Sequence, residues 1–253
     1  MAKLLAEMTW VEAGEAARRG AVILLPLSPT EEHGPHLPLA TDWMEAEGMA
    51  VLAADLLAAD GIEAIVAPTI PHAVAQVARD FPGNVCIQPE TMENLIIDVC
   101  NSLASHGFNR IGVICMHFER SNKESVLHAV DVLREKHHLK IVEAFISKQE
   151  IWWPKLAEIM DTSLKYDLHG GEMETSVMLA LRPDLVRPGW EKMEPVLVEL
   201  RKELTDSKTF AQLPGGEKGY FGDPTKSSAE KGRAILDLWS RSVADAILEL
   251  VNA

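Results

Sequence analysis

Cysteine is scarce in this chain, with three among 253 residues, at Cys86, Cys100 and Cys115. Three thiols cannot all pair, and none stands in a C-x-x-C spacing, so neither a disulfide framework nor a cysteine zinc site is expected. Positive charge is also short: 24 Lys and Arg face 38 Asp and Glu, and the resulting −14 disfavours phosphate backbones and anionic membrane surfaces. No apolar run approaches the roughly 18–20 residues of a membrane span, and the opening MAKLLAEMTW lacks the apolar stretch of a signal peptide. There is no G-x-G-x-x-G or P-loop to cradle phosphates, which counts against a flavodoxin-like nucleotide binder. A cytoplasmic protein that engages neither nucleic acid nor membrane is therefore expected.

What is present is an alternation of short apolar runs and amphipathic stretches. Thr9 and Glu12 have capping-box spacing before an Ala-rich helix to about Arg19, ended by Gly20. Ala21–Leu27, Ile62–Ile70, Arg110–Cys115 and Lys140–Phe145 read as buried strands. Helices are expected over about 43–59, 91–106, 122–137, 172–181 and 227–251. SPTEEHGPHLPLATD, residues 71–89, the WWP segment after Glu150, KYDLHGG and residues 205–226 are too rich in proline or glycine for regular structure. Strands alternating with helices predict parallel pairing and a three-layer α/β/α sandwich. Without repeats or linkers, residues 1–253 read as one domain.

Two polar pairs stand where strands end. Glu31 and His33 follow the first strand, His117 and Glu119 follow the third, and Asp42 opens a helix. In extended backbone, i and i+2 side chains project to one side, so each pair aims an imidazole and a carboxylate at a common point. Ligands of open α/β sheets bind outside the carboxyl ends of the strands, which is where both pairs lie. Two His, two Glu and one Asp suit a pair of divalent first-row metals with Asp42 as the bridge. Two such ions bring +4 against three carboxylates, and the surplus favours a bound hydroxide, the nucleophile of a hydrolase.

The segment LPLSPTEEHGPHLPLATD resembles the signature of the creatininase (creatinine amidohydrolase) family. FPGN, MHFERSN, HGGEMETSVMLALRP and YFGDPTKSSAEKG resemble further family motifs in the family's order, so the likeness spans about residues 20 to 245. It implies a creatininase-like sandwich that hydrolyses a non-peptide C–N bond of a small, creatinine-like cyclic amide and assembles as a homohexamer. It also implies two divalent ions, zinc or manganese and in some members iron. Glu31, Asp42 and His117 would hold one ion and His33, Asp42 and Glu119 the other. His169 would exchange a proton with the scissile nitrogen, and Glu174 would orient that histidine or stand behind the ligands.

The sequence also departs from the family pattern. Cys115 and Met116 stand where the family usually has Asn-Gly, Phe118 where creatininase has Tyr, and Lys165 where an aromatic flap residue is expected. A lysine there could meet an anionic substrate group. Two alternatives accompany the leading expectation: a formamide hydrolase acting on a pyrimidine intermediate, and a non-catalytic metal-dependent binding protein. The retained His169 and Glu174 argue against the latter. His36 is read as a neighbour of the ligands or a loop-structural residue, and Trp152–Trp153 as an oligomer contact in preference to a pocket wall. Asp223–Pro224 is read as a turn beside the site and Cys115 as a small buried hydrophobe.

Overall fold

The computed structural model describes residues 2–204 and 208–253. Its strands are β1 (Lys3–Leu4), β2 (Val22–Leu27), β3 (Ala64–Val66), β4 (Arg110–Cys115) and β5 (Lys140–Glu143), all parallel in the order β1-β3-β2-β4-β5. The helices are α1 (Trp10–Arg18), α2 (Thr41–Ala59), α3 (Pro89–Ser105), α4 (Arg120–Lys136), α5 (Gln149–Ile159), α6 (Glu172–Leu181), α7 (Leu200–Glu203) and α8 (Ala229–Asn252).

The period of two in β2 sorts its side chains onto opposite faces. Val22 and Leu24 join a core built with α2, α5, α6 and α8, whereas Ile23, Leu25 and Leu27 join a second core with α1, α3 and α4. Burial on both faces explains why the strand reads as a continuous apolar run, and it gives the expected α/β/α sandwich. A third, smaller cluster, including Val77, Leu200, Phe210 and Phe221, underlies the irregular segments at the carboxyl ends of the strands.

Three elements differ from the sequence reading. The strand expected over 62–70 is only Ala64–Val66: beyond the Ala67 N–H on the Leu24 carbonyl the chain leaves the ladder around Pro68, and pairing resumes only at a lone bridge between Leu27 and Ile70. WWP lies inside α5 and not in a loop. The Trp152 ring stacks flat on Phe145 at 4.7 Å and its Nε1–H donates to the Phe145 carbonyl, packing that holds a helix through Pro154. The two-residue β1 gave no sequence signal. Of the loop expected over 205–226, residues 205–207 lie outside the described residues; the remainder holds three short 3-10 turns.

Candidate metal centre

Chain direction dictates where the polar groups meet. β2 and β4 are neighbours and run parallel, so the loops leaving them emerge side by side. Glu31 and His33 come from the first loop, His117 and Glu119 from the second, and Asp42 from the first turn of α2, where the positive end of the helix dipole favours a carboxylate. Asn122 shapes the turn after β4, its Nδ2–H₂ donating to the His117 carbonyl at 3.1 Å and to Cys115 Sγ at 3.2 Å.

The ligand atoms form three overlapping groups among the described residues, Glu31–Asp42–His117, His33–Asp42–Glu174 and Glu31–His33–His169, within each of which all atoms lie inside 4.8 Å of one another. Asp42 belongs to the first two. Its Oδ1 is 2.9 Å from His33 Nε2 and its Oδ2 is 3.2 Å from His117 Nδ1, the latter atom also standing 3.2 Å from Glu31 Oε2. Glu31, His33 and Asp42 are each no more than 2% exposed. Both Glu31 oxygens, Asp42 Oδ2 and His117 Nε2 are buried without a hydrogen-bond partner. Carboxylates removed from water without compensation cost several kcal/mol each, so this is a pocket shaped for cations.

The electrostatics agree. Burial disfavours charge on His33, but Asp42 and Glu174 outweigh it and raise the imidazole well above its ordinary pKa. His117 is likewise raised against burial, by Glu31 and Asp42. Asp42 is held well below the usual carboxylate range despite its burial, through His33 and His117. Without metal, the carboxylates around them favour the protonated form of both imidazoles.

Glu119 lies at the edge of this arrangement. Its Oε2 accepts from the Val77 N–H at 3.1 Å and stands 3.9 Å from His117 Nε2, and its Oε1 accepts from Ser121 Oγ. Glu174 also stands beside His33 and Asp42. Its Oε2 is 3.6 Å from His33 Nε2 and accepts the Gly170 N–H. The carboxylate within hydrogen-bond reach of His169 is Glu32, whose Oε1 lies 3.3 Å from His169 Nε2. The His169 ring packs between His33 and Phe210, at centroid distances of 4.2 and 4.3 Å.

Sequence reasoning missed Glu32, Glu45 and Asp167. Glu45, one helical turn beyond Asp42, is fully buried with neither oxygen partnered; burial, with the charges of Glu174 and Asp42, raises its carboxyl well above the ordinary carboxylate range. Asp167 accepts from the N–H groups of Glu172, Met173 and Asp223, capping α6 from outside and fixing the His169 loop. Room for it comes from Gly171, where a Cβ would sit 2.4 Å from its Oδ2; neighbouring Gly170 adopts φ +59 against the His33 carbonyl. A capping distance of four to six residues and a pair of glycines were the available signals.

The remaining expectations sort as follows. His36 Nε2 bonds Thr175 Oγ1 at 2.8 Å behind the centre, and burial lowers its pKa to about 4. Asp223 caps a turn with its side chain on the Thr225 N–H. Cys115 is fully buried, its thiol pushed up to about 11 by that burial. Trp152 is buried in the core and, with half-buried Trp153 and Phe118, lines a cavity of about 890 Å³ that opens from the metal centre. Lys165 pairs with Glu199 and lines a separate, smaller pocket instead of this cavity.

The family profile described as creatinine amidohydrolase matches residues 6–247. This chain belongs to the creatininase family. The mycofactocin precursor peptide peptidase of Mycolicibacterium smegmatis is 30% identical over 89% of this chain and 84% of its own. The creatinine amidohydrolase of Pseudomonas putida is 27% identical over 96% and 95%. A solved structure of manganese creatininase superposes with a TM-score of 0.81 at 25% identity, covering 98% of each chain. Family membership and the buried ligand groups make the protein a metal-dependent amidohydrolase whose cofactors are divalent ions of the zinc and manganese type.

Proposed function

We propose that the protein hydrolyses a non-peptide C–N bond of a small amide at a two-metal centre. The carrying observation is the pair of overlapping groups sharing Asp42, with buried ligand atoms that have no other partner. Glu31, Asp42 and His117 would hold one ion. His33 and Asp42 would hold the other with Glu119, as the family resemblance implies, or with Glu174, as the distances favour. When bound, the ions supply Lewis-acid activation of water and of the amide carbonyl.

The chain's own residues do the rest. His169, held by Glu32, keeps an imidazole proton at the cavity floor for the departing nitrogen. Gly170 brings its N–H onto Glu174, which sets the carboxylate beside His33. Phe210 covers the His169 ring and excludes water from that face. A cytoplasmic homo-oligomer of one domain belongs to the same reading, in keeping with three free cysteines.

The experiment is a panel of cyclic ureas, lactams and formamides offered to manganese- and zinc-loaded protein. Turnover that disappears in His169→Asn while metal content is retained supports the reading; a purified chain that takes up no transition metal ends it. A second reading, a short peptide as substrate, is favoured by the cavity volume and by the peptidase relative. Peptide amides in the same panel separate the two.

A further inference from the structure

The cavity changes character from floor to rim. At its floor stand Asp42, His117, Glu119, His169 and Glu174. Its middle is apolar, walled by Phe118, Trp153, Leu200 and Phe210. Among the described residues, its outer lining carries Arg79, Arg120, Arg201 and Lys208 against a single acid, Glu124. That concentration of positive charge is unexpected on a chain of net charge −14.

Two of the four cations are committed to local carboxylates: Arg120 Nε to Glu124 at 2.9 Å, and Lys208 to Glu203 at 3.9 Å. Arg79 and Arg201 have no carboxylate partner among the described residues. Both are exposed. Arg79 donates one hydrogen bond, from Nη1 to the Gln76 carbonyl, which leaves most of its donors open. Arg201 lies over the Trp153 ring with its Cζ 4.4 Å from the centroid. Stacking orients a guanidinium while leaving its N–H edges free, the disposition that suits bidentate contact with a carboxylate or phosphate. The volume, about 890 Å³, is near the upper end for small-molecule pockets, which run to about 1,000 Å³, and far exceeds one five-membered ring.

We infer that the substrate carries an oxyanion, carboxylate or phosphate, joined to its scissile amide through an apolar portion, and that Arg79 and Arg201 hold that oxyanion at the rim. This rests on the floor being the hydrolytic centre. The division of labour follows from charge. The floor, crowded with carboxylates, receives the neutral amide and the cations, whereas an anionic group is drawn to the rim, where the described residues present open guanidinium. A chain of strong negative charge repels anions at long range, so two local arginines restore attraction only at the entrance.

The test uses matched amides on manganese-loaded protein: hydantoin-5-acetic acid against its methyl ester, N-formylphenylalanine against its methyl ester, and formamidoethyl phosphate against formamidoethanol. Equilibrium binding by calorimetry and kcat/KM are both read, for wild type, Arg79→Gln, Arg201→Gln and Arg201→Lys. The expected result is that at least one acidic member binds about tenfold or more tightly than its neutral partner. Either glutamine variant then collapses that ratio through Kd and KM, and lysine restores part of it. The carboxylate and phosphate arms show which oxyanion is preferred. Equal binding of acidic and neutral members, binding of neither, or a ratio that survives both glutamine variants overturns the inference. Arginine-dependent binding of the acids without hydrolysis of any amide would leave the oxyanion site standing and remove the hydrolytic reading; hydrolysis of neutral amides with no gain for acids does the reverse.

Discussion

At the residue scale, the site depends on a few carboxylates whose work differs with what they touch. Glu32 contacts His169 and also accepts the Gly34 N–H, so it sets the imidazole without belonging to either group around Asp42. Glu32→Gln is expected to lower kcat by about 10- to 100-fold with two ions still bound, measured by steady-state kinetics beside elemental analysis. The choice between Glu119 and Glu174 has an equally direct reading: whichever Gln variant falls from two ions to about one per chain supplies the ligand in question. Cysteine chemistry is predicted to be quiet. Burial raises the Cys100 thiol to about 12 and Cys115 to about 11, so thiolate is scarce at neutral pH, and only half-buried Cys86 should react with a disulfide reagent in native protein. Glu31, His33, Asp42 and His117 were legible as a cluster because i and i+2 spacing after apolar strands is a local pattern. Glu32 and Glu45 were not, because their roles come from a neighbour distant in the chain or from burial that no short window reveals, whereas Asp167 left a local signal in its spacing to Glu172 and Met173. Lys165 shows the converse: its place in an aligned motif suggested a substrate contact, but Glu199 neutralises it away from the cavity.

At the element scale, α6 and α8 cross closely at Gly232, where a Cβ would meet the Ser176 carbonyl oxygen at 1.9 Å. Gly232→Ala must separate the helices, and a destabilisation of about 1–3 kcal/mol is expected in urea unfolding. The ends of several elements were readable from local chemistry. Thr9 and Glu12 form the expected capping box, and β4 and α6 begin and end where the sequence placed them. Strand β3 and helix α5 were misjudged for one shared reason, proline weighed without its surroundings. Pro68 shortens a strand that its apolar neighbours seemed to prolong, while Pro154 is tolerated because the stack of Trp152 on Phe145 outweighs one missing backbone bond.

At the scale of the whole molecule, metal and proton compete for the same buried cavity. His33 and His117 have raised pKa values in the metal-free chain, and each must lose its proton to become a ligand. Metal affinity is therefore expected to fall as pH drops through those raised values, with protons released on metal uptake; calorimetry in buffers of different ionisation enthalpy measures both. Removing the ions leaves the buried oxygens of Glu31 and Asp42 without the cations that would compensate them, so chelation should lower the melting temperature and manganese or zinc should restore it.

The His169 loop adds one more property. His169 exchanges backbone hydrogen bonds with Phe221 in both directions, and Asp167 ties the N–H of Asp223 to those of Glu172 and Met173. Residues 167–173 and 221–223 are thus one mechanical body assembled from two distant stretches of chain. Their amides should open to deuterium together and slowly, as a single cooperative unit unlike an ordinary surface loop. The imidazole at the cavity floor is then carried by a clamp that opens as a whole or stays closed.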